Sequence, residues 1–477
     1  MTLTAGLLIA RYSHGELCGI SCNEQPLLSR LYAAVRDENW GTVEGVLVVE
    51  STSPEQISFT MRHADVLIWH GTIQTHSGGR LIFTFEGEAL KDFRRNRIGF
   101  CLLHPLACVG APCQVEHTDG TTRTTAFPAL VCPDQPVAPF AALRSLTQTL
   151  PDGSQVRFGF SGDVFELEDQ RNWTDASFKT FCTPLSLPYP VLVKAGERVW
   201  QRVVIEAISP PSHGSGTSLP QFARTSLGRE AASPCFPSPS SGDEGANTGR
   251  GDGARNEHPG EMASIREMAI RVDLFGIPSD VERLAKADVL AQSRGLGLEV
   301  ALIGYPEIGE KIQTRSPITR WLVLPATEHV NTPPDHHALL LAARPLRKIA
   351  PVFAGTDSDF LFLNRYPPPL ELCDGLTFAI NPQVHAFDAA SIEETITSYP
   401  AILATAQALS GGKPVLISPL TLSPRWNPYA ATQLPRSQRL AQDPRSETEF
   451  GQAWLVRARQ ALLEAGATSV TLETISE

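Results

Sequence analysis

Ala269-Ile-Arg-Val-Asp-Leu-Phe275, Ser279-Asp-Val-Glu-Arg-Leu-Ala-Lys-Ala-Asp-Val-Leu-Ala-Gln292 and Leu298-Glu-Val-Ala-Leu-Ile303 follow one another with only short breaks. The first and third runs are short and apolar, as buried parallel strands are. The middle run has helical spacing, with Ser279 placed as its N-cap. This strand–helix–strand rhythm continues through Trp321-Leu-Val-Leu324, Ile349-Ala-Pro-Val-Phe353, Leu376-Thr-Phe-Ala-Ile380, Pro414-Val-Leu-Ile-Ser418 and Ser469-Val-Thr-Leu-Glu473. Ser391-Ile-Glu-Glu-Thr-Ile-Thr-Ser398 has the shape of a capping box, and Ala453–Gly466 ends on glycine. Seven such units predict a (β/α) TIM-like barrel over residues 263–477. No glycine-rich phosphate fingerprint follows the first strand, which argues against dinucleotide binding.

Upstream, residues 209–262 are dominated by Ser, Gly, Pro, Glu, Arg and Asn, a composition that cannot bury enough apolar area to order itself. They are read as a disordered linker or insertion. Residues 1–208 carry short β-branched and aromatic runs separated by turns: Val43–Glu50, Gln56–Met61, Val66–Ile73, Arg80–Glu86, Ile98–Leu103, Cys113–His117 and Arg198–Ile205. An antiparallel β-sandwich is expected there. Ala89-Leu-Lys-Asp-Phe-Arg-Arg-Asn-Arg97 is read as a polar, arginine-dense connection.

The chain has 477 residues and a net charge of −11, with no basic stripe for phosphates, so nucleic-acid binding is not expected. Met1–Arg11 lacks a basic n-region and is read as an early strand. No run approaches a membrane span, and a cytoplasmic protein without a membrane partner is expected. The nine cysteines lack the paired spacing of zinc sites and are read as reduced and structural. His336-His337 lies in a Pro/Asp loop and is read as solvent-facing, so neither a metal nor another cofactor is expected.

In a barrel, functional groups follow the C-terminal ends of the strands. Those positions hold Asp273, Asp357 and Asp359, then Asn381 with His385 and Asp388, then Arg425-Trp-Asn427, and finally Glu473. They are oxygen- and amide-rich, as a polyhydroxylated substrate requires. Asp357 and Asp359 could equally close a turn. Near the end of the β-rich half, Glu166-Leu-Glu-Asp-Gln-Arg-Asn-Trp-Thr-Asp-Ala-Ser-Phe-Lys179 packs charges without an apolar stripe. It reads either as a structural salt-bridge corner or as a polyol-binding wall.

Val35-Arg-Asp-Glu-Asn-Trp-Gly-Thr42, Arg95–Pro105, Cys113–His117, Gly162–Lys179, Gly355-Thr-Asp357, Ile380–Asp388 and Ser418–Pro428 together resemble the D-apionate lactonases, bacterial enzymes of apiose breakdown. The resemblance spans nearly the whole chain outside the linker. It implies hydrolysis of the D-apionolactone ring to D-apionate, hence a small-molecule sugar lactone as partner. It also implies a Gly-Trp-containing loop and a further strand beyond Glu473-Thr-Ile-Ser-Glu477, so a barrel lacking its last unit is expected.

Residue roles follow from barrel position, not from the resemblance. Lactone hydrolysis needs a base for water, donors for the oxyanion and a proton for the departing alkoxide. Glu473 and His385 are expected to divide the acid and base roles. Asn381, Arg425 or Asn427 would donate to the oxyanion, and Asp273 and Asp357 would grip hydroxyls. Arg171 and Trp173, in a stretch expected to form the seam between the domains, would reach toward the barrel mouth. Glycoside hydrolysis by paired carboxylates, or carbohydrate binding by a shortened non-catalytic relative, are the competing readings.

Overall fold

The computed structural model describes residues 1–208, 269–328, 332–429, 435–438, 440, 442–472 and 474–475. The segment read as a linker lies outside the described residues, as does Glu473.

Alternating burial along strands such as Arg80–Ala89 and Gln56–His63 marks sheets with one face turned to a core. The first half forms two antiparallel sheets. One runs Thr2–Ala5, Leu8–Ser13, Glu16–Cys22, Gln25–Asp37, Phe93–Pro105, Ser177–Phe181, Glu166–Asp169, with Val191–Val193 also on Phe93–Pro105. The other has nine strands, from Thr122–Ala126 at one edge to Gly45–Thr52 at the opposite edge. Their inner faces feed one apolar cluster, and Phe100 of the first meets Phe83 of the second at 4.8 Å between ring centres. Residues 94–97 are not a connection: they open the thirteen-residue strand Phe93–Pro105, where Arg97 pairs with Arg36 and Arg95 with Asp37 across a register shift, and Arg94 pairs with Leu192.

The second half is a curled parallel sheet of Ala269–Leu274, Gly297–Ile303, Ile318–Leu324, Val352–Gly355, Gly375–Ile380 and Val415–Leu420, each beside its sequence neighbour. The last segment meets both edges of this sheet. Ser469–Val470 pairs with Val415–Leu420, and Thr474–Ile475 pairs with Ala269–Leu274. Ile270, Val272 and Leu274 join the apolar cluster shared with the helices, whereas Arg271 and Asp273 between them are equally buried.

Two helix starts differ from the expected ones. Ser279 makes no side-chain cap for Asp280–Arg294. The Asp280 carboxylate accepts instead from the backbone N–H groups of Phe275, Gly276 and Ile277. Asp388, not Ser391, caps Ala389–Glu394, accepting from Ser391 N–H. Cys22, Cys101, Cys108, Cys113, Cys132, Cys182 and Cys373 are free thiols, while Cys18 is disulfide-bonded. Among the described residues no helix is long and apolar enough to cross a membrane, and no group of three His, Cys, Asp or Glu side chains could hold a metal ion.

Candidate active site

Buried charges inside a barrel must be paired, and here they are. Arg271 donates through Nε to Asp273 (2.8 Å), through Nη2 to Asp357 (2.6 Å) and through Nη1 to Ser418 Oγ (3.1 Å). Arg425, from the loop after Val415–Leu420, bridges the same two aspartates. Arg436 donates to Asp357 Oδ2 at 2.8 Å and lies over the Trp426 ring, 3.8 Å from its centre. Trp426 Nε1 in turn donates to the Asp357 carbonyl (3.1 Å). Glu328, four residues past Ile318–Leu324, accepts from Thr356 Oγ1 at 2.7 Å. Burial pushes its carboxyl up to about 7, against the pull of Arg436.

A second cluster straddles the seam between the two halves. Asp359, just past Val352–Gly355, accepts from Tyr429 OH (2.7 Å) and from the Asn381 amide. Burial raises it to about 6, with the nearby charge of Asp175 adding and that of His385 opposing. Trp173 Nε1 donates to the same Tyr429 oxygen at 2.6 Å. That phenol is itself pushed well up by burial and by Asp359, so it stays a donor. His385 Nδ1 lies 2.6 Å from Asp175 Oδ2, and its ring meets Trp173 edge-on at 5.2 Å. The first half thus supplies Trp173 and Asp175, and the barrel supplies His385, Asp359 and Tyr429.

Local conformation makes this crossing possible. Asp169 accepts from Arg171 N–H and starts a short turn, Gln170–Trp173, which ends on Thr174 in the left-handed region at φ 72°. Such a backbone persists in a non-glycine only when its surroundings hold it. Thr174 Oγ1 donates to Asn381 O (2.9 Å), and Ser398 Oγ donates to Thr174 O (2.8 Å). The barrel therefore fixes the turn that presents Trp173 and Asp175.

The D-apionate lactonase N-terminal domain model matches residues 1–210, and the D-apionate lactonase TIM barrel domain model matches residues 307–476. A relative from Brucella anthropi described as D-apionate lactonase is 30% identical, over 99% of this chain and 82% of its own length. The chain belongs to the D-apionate lactonase family. Among solved structures, a GalM/aldose epimerase homologue from C. elegans shares 12% identity over 44% of this chain and 98% of its own, with a TM-score of 0.29. A galactose 1-epimerase from Lactobacillus acidophilus shares 10% over 42% of this chain and 94% of its own, at 0.26. Likenesses of that size carry no argument.

In this member of the D-apionate lactonase family, the expected residues divide into three groups. Trp173, Asn381 and His385 come together at the seam with Asp175, Asp359 and Tyr429. Asp273, Asp357 and Arg425 meet in a buried cluster of their own, where their charges are paired with one another, with Arg271 and with Arg436, so gripping substrate hydroxyls is not their geometry. Arg171 and Asn427 stand apart. Arg171 is fully buried, doubly bonded to Asp169 and donating to the carbonyls of Pro128, Ala129 and Leu130, so it does not reach the barrel mouth. Asn427 is exposed and spends its Oδ1 on the Tyr429 N–H.

Glu328, Arg271 and Arg436 carried no sequence expectation. The signal for Glu328 was its place after the strand Ile318–Leu324, and for Arg271 a charge set two residues from Asp273 inside an apolar run.

Proposed function

We propose that the chain is a carboxylic-ester hydrolase that opens the ring of a sugar lactone, D-apionolactone to D-apionate, where the two halves meet. One observation carries this reading: a buried carboxyl raised to about 6, Asp359, shares a rim with His385, a histidine oriented by Asp175. A carboxyl pushed toward neutrality by its surroundings suits proton transfer at physiological pH. The name of the Brucella anthropi relative supports the choice of substrate.

Asp359 takes a proton from water as the water oxygen bonds to the lactone carbonyl carbon. Collapse of the tetrahedral adduct breaks the ring C–O bond, and His385, oriented by its contact with Asp175, gives a proton to the departing alkoxide. One water is consumed and the sugar acid leaves as its carboxylate. Tyr429 and Asn381 hold Asp359 in place, and Trp173 covers an apolar sugar face. Asp273, Asp357 and Arg425 position the rim from below. The β-rich half, residues 1–208, acts as a sandwich that roofs the barrel of residues 263–477.

The test is purified full-length protein incubated with D-apionolactone at constant pH, with acid release followed by titration. Release far above the spontaneous rate is expected. No release, alongside cleavage of an aryl apioside, would replace this reading with glycoside hydrolysis. That second reading draws on Glu328, a further raised carboxyl at the same end of the barrel.

A further inference from the structure

The outer face of the first sheet carries positive charge that the chemistry at the barrel mouth does not use. Arg36 and Arg97 are cross-strand partners, and their neighbours Val35 and Ile98 are buried in the core. Both arginines therefore leave the sheet on its outer face, and Arg95, paired with Asp37, follows across a register shift in the ladder. Like charges opposite one another on paired strands repel. Among the described residues, none of the three forms an ion pair with a carboxylate, and Arg97 Nε, Arg97 Nη2 and Arg95 Nε are buried with no hydrogen-bond partner.

Arg97 is only 5% exposed. Its guanidinium carbon lies 5.0 Å from the ring centre of Trp40, 5.4 Å from that of Tyr189 and 5.7 Å from that of Phe181. Aromatic faces offset part of the cost of burying a cation, but they do not replace a counter-ion. The nearest carboxylates are engaged elsewhere: Glu166 accepts from Leu185 N–H at 2.6 Å, and Glu168 pairs with Lys179. Trp40 and Tyr189 meet edge to face at 5.2 Å, and Trp40 is held at φ 67°. Strain of this kind in a non-glycine collects at ligand clamps. This cluster of arginine and rings adjoins the seam, since Glu168 feels both Arg97 and His385.

We propose that Arg97 and Arg36, beneath Trp40 and Tyr189, seat the carboxylate of a small polyhydroxy acid, the ring-opened product of the hydrolysis. The choice of a sugar acid rests on the function proposed above; the demand for a carboxylate rests on the guanidinium groups alone. Arg36 spends Nη1 on Thr42 Oγ1 and the Trp40 carbonyl, and Arg97 spends Nη1 on the Asn96 carbonyl, so the other N–H groups of the two guanidiniums are the ones offered to a carboxylate, and the rings match the C–H face of a sugar chain.

The experiment is calorimetric titration of the full chain with sodium D-apionate and with the neutral alditol of the same skeleton. The acid is expected to bind at least about tenfold more tightly than the alditol, the usual worth of a charge-assisted hydrogen bond. Arg97→Met and Arg36→Met should each erase that preference, while Asp359→Asn should keep it. Equal affinity for acid and alditol would overturn the proposal. So would a preference that survives both arginine variants and disappears in Asp359→Asn. Should Arg97→Met not fold, Arg36→Met, at a half-buried position, decides. If the lactone is not hydrolysed yet the preference and its loss are seen, the seat stands and the hydrolase reading falls.

Discussion

At the residue scale, Asp359 carries the sharpest expectation. A base raised to about 6 gives kcat/KM an acid limb bending near that pH. Asp359→Asn should lower kcat/KM at least ~100-fold and abolish the bend. A variant that keeps the limb would remove Asp359 from the base role. Asp175→Asn leaves the His385 ring in place but takes away its orienting charge, so turnover should fall by about 10- to 100-fold while the thermal midpoint stays close to wild type. Part of this site was legible in the sequence: His385 and Asn381 sit in a dense polar loop after an apolar strand, and barrel geometry assigns such loops to the mouth. Asp175 was not. Nothing local links it to a histidine 210 residues away, and only the left-handed turn at Thr174 brings the two together.

At the scale of elements, the barrel strands were readable because their apolar runs are short and regularly spaced. Their buried charges were harder to read. The cost of Arg271 is offset by Asp273 and Asp357, and one of those lies three strands and many residues away. Arg271→Met should destabilise the protein by ~3–5 kcal/mol, the usual cost of leaving buried partners uncompensated, as read by urea unfolding. Glu328 gives the barrel a pH dependence with a definite sign. Its folded value of about 7 lies above the ordinary 4.5, so between those values the folded chain keeps a proton that the unfolded chain has lost. Stability is greatest below that window and falls as pH rises through it. Glu328→Gln should flatten the decline in urea midpoint between pH 5 and 8; an unchanged slope would place the titration elsewhere. The helix starts show the same limit of local reading: Ser279 and Ser391 fit the capping pattern, but Asp388 caps the second helix, and Asp280 binds the N–H groups of the loop before the first.

At the scale of the whole molecule, the halves are tied by backbone and amide hydrogen bonds. Asn364 donates to Asn172 Oδ1 and to the Val131 carbonyl, and Val131 N–H donates to Thr405 Oγ1. Asn364→Ala combined with Ser398→Ala should split calorimetric unfolding into two transitions where the wild type shows one. A single transition in the double variant would mean that other contacts carry the coupling. The His385–Asp175 contact also sets a timetable. During synthesis Asp175 emerges long before His385, so the contact between them forms only after most of the barrel has been made. On the function proposed above, a chain with one half still unfolded should be inert, and the first turnover of a newly made molecule should report that its two halves have docked.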